Sequence, residues 1–182
     1  MSMIKRADIL VSVLMSAAIL TCCRRTAPQA PSNHVRQDDP AVAMMIANMR
    51  LAEEADRVCT DYVKQSGNTF TLDETRCWYQ VTGKNEAGRQ LAKGDVVELM
   101  YSVFSLADST MIEDTQLQLE VGKRETLPCF DYMLPEFREG EQGVLVVPYY
   151  QAYGKEGNDK VPALTNCMVK INKIKIITRN TL

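Results

Sequence analysis

The sequence predicts an α+β fold, an antiparallel β-sheet wrapped around one short α-helix, with an extra helix on its N-terminal side. Three observations predict it. The segment DDPAVAMMIANMRLAEEADRVCTDYVKQSGN carries a helix start signal at one end and a stop signal at the other. From residue 70 the pattern changes to short β-rich runs split by Gly, Asn, Asp and Pro. Between two of those runs, LPCFDYMLPEFREG places apolar residues at helical spacing. Strand runs in succession, with helices segregated from them, describe an α+β domain.

In the first helix, Asp39 suits the N-cap and Pro40 the first turn, while Ser66-Gly67-Asn68 forms the stop. Met45, Met49, Ala52, Cys59, Tyr62 and Val63 fall near one face, and Glu53, Glu54, Arg57 and Lys64 fall largely elsewhere. That stripe is expected to pack on the domain or on a partner. The strand runs are TRCWYQV, GDVVELMYSVFSL, QLQLEV, QGVLVVP and CMVKINKIKII. Alternation is clearest in Val169 and Ile171, and then in Ile174 and Ile176. In the short helix, Phe130, Met133, Leu134 and Phe137 share a face, Pro128 suits the start, and Pro135 limits the length to about two turns.

The chain has 182 residues, 46% hydrophobic and 24% charged, a composition that fits one globular domain with appendages. A net charge of −2 supplies no basic field, so no nucleic-acid partner is expected. Its one histidine, His34, lies in a polar linker, which argues against histidine-based metal or triad chemistry. Lys5 and Arg6 precede an apolar run from Ile9 to Leu20, the length of a secretory h-region and too short to span a bilayer as a helix. The following ILTCCRR resembles a bacterial lipobox. It implies a lipoprotein signal peptide over 1–21 and lipidation of Cys22, with Cys23 as the alternative site. An uncleaved anchor or a non-lipidated signal stays open. A tether follows over 22–39, then the helix over 40–66 and the main domain over 70–182. No acidic run follows the cysteines, so a lipid-anchored, periplasm-facing location in the bacterial cell envelope is expected. Cys59, Cys77, Cys129 and Cys167 lack CxxC or zinc spacing, which leaves buried thiols or a disulfide.

The strand GDVVELMY resembles the GDxVxVHY strand of FKBP-type peptidyl-prolyl isomerases. VGKRETLPCFDYMLPEFREGEQ is similar, without a gap, to the family's LGxxxVIxGWxxxLxxMxxGE segment. VVPYYQAYG resembles its IPxxxAYG signature, and VPALTNCMVKINKI its last strands. Four motifs in order cover roughly residues 76 to 177. The leader WYQVTGKNEAGRQLAKGD, the upstream helix and the lipobox resemble the membrane-tethered, gliding-motility-associated isomerases of Bacteroidetes.

The resemblance implies an FKBP-like fold and a hydrophobic, aromatic-lined cavity over the short helix. Tyr101 stands at the tyrosine closing the first strand, and Ile112 and Glu113 stand where the family has Phe-Asp. Leu117 and Leu119 follow on the next strand. Thr126 and Leu127 match the Val-Ile pair, whose second amide binds a ligand carbonyl. Phe130 replaces the tryptophan of the pocket floor, Tyr153 matches the AYG tyrosine that bonds a ligand carbonyl, and Val169 matches a phenylalanine on the last strand. Ile112, Phe130 and Val169 each shrink a wall, and Glu113 moves its charge by about one methylene. The KEGNDK loop after Gly154 lacks the usual hydrophobic tip. Tyr149 and Tyr150 read as packing or rim residues.

The implied activity is isomerisation of Xaa-Pro bonds in exported, proline-containing polypeptides, without a cofactor or metal. Tyr153, Tyr101, Glu113 and Phe130 are its expected catalytic residues, and Ile112, Leu117, Leu119, Thr126, Leu127 and Val169 its substrate-binding ones. The alternative is a catalytically weak or inactive peptide-binding or chaperone module of an envelope complex. In either case the N-terminal helix is able to dock a partner or a second copy as a homodimer.

Overall fold

Helix α1, Pro40–Ser66, begins where the side chain of Asp39 accepts the Ala41 amide at 2.9 Å, as an N-cap should. It ends at Ser66, followed by Gly67 at a φ of 67°. The computed structural model describes residues 39–178. Cys22, Cys23, the expected signal peptide and the tether up to residue 38 lie outside those residues. Met44 onward belongs to one compact unit.

Six strands follow: β1 Thr71–Leu72, β2 Trp78–Gly83, β3 Val96–Ser105, β4 Met111–Glu120, β5 Gln142–Val147 and β6 Cys167–Thr178. They form one antiparallel sheet in the order β1-β2-β5-β6-β3-β4. The short helix α2, Phe130–Met133, continues as a single 3₁₀ turn, Leu134–Glu136, as expected where Pro135 cannot extend an α-helix.

Two bulges set which side chains face inward. Opposite β3, Met100 pairs with Lys173 but Tyr101 pairs with Ile171, so Asn172 is the extra residue. The bulge shifts the phase of β6 and turns both Ile171 and Ile174 to the core. On the other side of β3, Val103 pairs with Glu113 and Phe104 with Met111, leaving Ile112 unpaired. QLQLEV therefore represents only the second half of β4, whose first half breaks the period-2 pattern at that bulge.

The inner face packs on the short helix. Phe130, Met133, Leu134 and Phe137 are fully or almost fully buried against Val97, Leu99, Leu145 and Ile171. Gly143 is required here, because a Cβ would lie 2.4 Å from the Phe137 ring and 2.6 Å from the Gln80 carbonyl oxygen. The outer face of the sheet carries α1. Cys59 and Val63 pack against Val146, with Tyr62, Phe70 and Trp78 around them. The Tyr62 hydroxyl donates to Met168 Sδ at 3.3 Å, and the Tyr150 hydroxyl donates to Asp56 on the helix.

The helix stripe is shorter than expected. Ala55, Cys59 and Val63 are buried, but Met45 and Met49 are each 54% exposed. All four cysteines among the described residues are buried free thiols.

Candidate active site

The site forms where β3, β4, β6 and α2 converge beside the 3₁₀ turn Tyr149–Gln151. Tyr101 and Thr115 are cross-strand partners, as are Val103 and Glu113, so these side chains share the inner face. Val169 pairs with Val103 from the other side. The bulge re-aims Ile112, which packs at the edge of the core while its neighbour Glu113 also faces the site. Beneath them the Tyr101 ring meets the Phe130 ring edge-on, with centroids 5.0 Å apart and planes at 74°.

The short helix is fixed to the Tyr153 loop. The Cys129 amide donates to the Gln151 carbonyl at 3.0 Å, and the Phe130 amide donates to the Leu127 carbonyl at 3.0 Å. Asp131 Oδ1 accepts the Gly122 amide at 3.0 Å and the Arg124 amide at 3.3 Å, holding the turn that leads to Thr126 and Leu127. No acceptor among the described residues meets the Leu127 amide. Gly154, at a φ of 76°, donates its amide to the Tyr149 carbonyl at 2.8 Å and closes the loop that presents Tyr153.

At the mouth, the Tyr153 hydroxyl donates to Glu113 Oε2 at 2.7 Å, and Thr115 Oγ1 donates to Glu113 Oε1 at 2.7 Å. Burial, with Glu113 adding to it, raises the pKa of both the Tyr153 and Tyr101 hydroxyls well above the ordinary range, so both remain proton donors in neutral solution. Thr115 was not visible as a site residue from motif matching. Its signal is positional: it lies two residues after Glu113, a polar side chain on the core-facing side of a strand.

The expected residues are therefore brought together. Phe130, Tyr101, Leu119, Leu127 and Val169 belong to one buried cluster, with Ile112, Leu117 and Tyr153 half-buried against it. Thr126 is half-buried beside Leu127. The floor is deeply buried: Phe130 is 1% exposed, Tyr101 3% and Leu127 6%. A cleft of about 290 Å³ opens just beyond Ile112. Tyr149 and Tyr150 do not reach the cup. Tyr149 is buried, its ring edge-on to Tyr150 at 5.4 Å, and Tyr150 ties the loop to α1.

Residues 87–171 match the family of FKBP-type peptidyl-prolyl cis-trans isomerases. FK506-binding protein 5 of Dictyostelium discoideum is 30% identical over 86 residues, a match spanning 43% of this chain and 5% of that protein's length. Among solved structures, the N-terminal domain of FKBP42 from Arabidopsis thaliana is similar with a TM-score of 0.55 at 21% identity. That likeness covers 61% of this chain and 94% of the Arabidopsis chain. A peptidyl-prolyl cis-trans isomerase from Pseudomonas syringae pv. tomato gives a TM-score of 0.55 at 17% identity, covering 70% of this chain and 94% of its own. At these identities the likeness to the solved structures is one of fold. The described part of the chain has an FKBP-like fold.

Proposed function

We propose that this chain is a peptidyl-prolyl cis-trans isomerase that binds the twisted Xaa-Pro amide in its apolar cup and assists the folding of exported proteins. The observation that carries this reading is the Tyr153–Glu113 hydrogen bond poised over the Tyr101–Phe130 ring pair. Amide rotation is slow because resonance must be lost, with a barrier of about 18–20 kcal/mol. The reaction needs no nucleophile; it needs a surface that binds the twisted amide better than either planar form. A twisted amide is less dipolar, so a dry wall of Phe130, Ile112, Leu127 and Tyr101 favours it over water's preference for the planar forms. The Tyr153 hydroxyl turns from Glu113 to a substrate carbonyl, and Thr115 keeps the carboxylate in place. The Leu127 amide supplies a second donor. Each of these bonds contributes about 0.5–1.5 kcal/mol net, so their role is to position the chain.

The location belongs to the same proposal. A lipid on Cys22, or on Cys23, holds the domain at a membrane of the bacterial cell envelope, as the resemblance to tethered Bacteroidetes isomerases implies. Mass spectrometry of the mature N-terminus tests this directly: a diacylated Cys22 or Cys23 is expected, and an unmodified N-terminus at another residue contradicts it.

A second reading is favoured by the engaged Tyr153 hydroxyl. In that reading the domain holds proline-containing segments without accelerating their exchange, as a chaperone-like module. NMR exchange spectroscopy on Xaa-Pro peptides with the purified chain separates the two. Accelerated cis-trans exchange supports the isomerase, and binding without acceleration supports the module.

A further inference from the structure

We propose that the site does not end at Ile112 but continues as an apolar groove that binds the residues flanking the proline in the same client polypeptide, with α1 as its far wall. This rests on the prolyl-peptide reading of the cup. Two clefts make the groove. The first, of about 290 Å³, starts at Ile112 and runs over Met111 and Thr110 to Pro162. The second, of about 430 Å³, runs from Pro162 over Leu106 and Leu164 to Val58 on α1. They share Ser105, Pro162 and Thr165, so the two clefts adjoin. Each has a volume typical of a small ligand site, about 300–1,000 Å³, or just short of it.

The chemistry grades along the groove. Asp108 and Lys160 bring one charge of each sign to the cleft beside the cup. The farther cleft has no charged side chain in its lining. That is the pattern of a channel for an extended chain, polar where the backbone passes the cup and apolar where a distal side chain is seated. Its walls are held in place: the Leu106 amide donates to the Asn166 carbonyl at 2.9 Å, and Asn166 Oδ1 accepts the Tyr149 amide at 2.9 Å. Leu106 also packs against the Cys59–Val63–Val146 cluster beneath α1. A groove already shaped before binding loses little freedom when it is filled.

Leu164 supplies an independent observation. It holds a φ of 58°, the left-handed region where glycine is at ease and a branched side chain is strained, and its half-exposed side chain lines the farther cleft. A turn alone is better served by glycine; leucine at this position adds an apolar surface to the groove.

The test uses the full-length chain, a tetrapeptide containing Xaa-Pro, and a decapeptide with the same core flanked by Leu and Phe. Affinity is read by fluorescence anisotropy and exchange by NMR. The decapeptide is expected to bind about tenfold more tightly or better, the gain from burying one large apolar side chain. Leu164→Gly, which relieves the backbone, and Val58→Gln, which suits a helix, should each remove most of that gain while the tetrapeptide's affinity and exchange stay as they are. Equal affinity of the two peptides, or a gain that survives both variants, overturns the groove. So does a concentration-dependent dimer that Val58→Gln dissociates, because a second copy then fills it. Loss of tetrapeptide exchange with the decapeptide gain retained instead overturns the isomerase reading and leaves the groove standing.

Discussion

Replacing Tyr153 by phenylalanine removes one oxygen and nothing else from the mouth of the cup. In the free protein the cost is the bond to Glu113 Oε2 at 2.7 Å. Hydrogen bonds to charged groups contribute about 1.5–3 kcal/mol net, and this one sits toward or below the low end because both partners are half-buried. Glu113 is not orphaned, since Thr115 still donates to Oε1. A loss of about 1 kcal/mol, or about 3–5 °C in Tm, is therefore expected. The effect on function is separate. Loss of a positioning bond of about 0.5–1.5 kcal/mol to the substrate carbonyl lowers kcat/KM by about 2- to 13-fold. Thermal unfolding reads the first quantity and NMR exchange on an Xaa-Pro peptide reads the second. A variant that loses stability but isomerises at the wild-type rate would refute the role given to Tyr153 and reduce it to a packing residue.

Other consequences follow from the packing. Burial pushes the Cys59, Cys77 and Cys167 thiols up to about 12 from an ordinary 9.0. A raised folded pKa contributes stability that is complete below about pH 9 and is lost as the pH rises toward 12, with up to about 1.4 kcal/mol per pH unit for each thiol. Urea unfolding midpoints should therefore fall between pH 9 and 11, less steeply in Cys167→Ala; flat midpoints contradict this. Gly143→Ala forces a methyl against the Phe137 ring and should cost about 1–3 kcal/mol in chemical denaturation. Tyr150→Phe breaks the link to Asp56, so hydrogen exchange in α1 should accelerate while peptide isomerisation is unchanged.

Much of the architecture is legible in local chemistry. Asp39-Pro40 and Ser66-Gly67 mark the two ends of α1 because caps act within a turn. The slip from Ile171 to Ile174 in the alternation of β6 is the imprint of the bulge at Asn172. The short helix ends where Pro135 requires. What escapes the pattern is non-local. The bulge at Ile112 hides the first half of β4, since an unpaired residue erases the period that identifies a strand. Met45 and Met49 share a helical face with Cys59 and Val63, yet the sheet reaches only the latter pair. The Tyr150–Asp56 contact joins residues 94 positions apart and leaves no local trace. The candidate cup is legible in the motif resemblance, which carries the spacing of Tyr101, Glu113, Phe130 and Tyr153. Thr115, outside the motifs, became visible only when its hydroxyl met the carboxylate.

Contact between a prolyl ring and the Phe130 ring is the most direct thing to measure. With a selectively labelled Xaa-Pro peptide bound to the chain, intermolecular NOEs should run from the proline ring protons to Phe130 and Ile112, and Tyr153 should shift as its hydroxyl leaves Glu113. NOEs confined to residues outside that cup, with Phe130 and Tyr153 unperturbed, would show that the proline binds elsewhere.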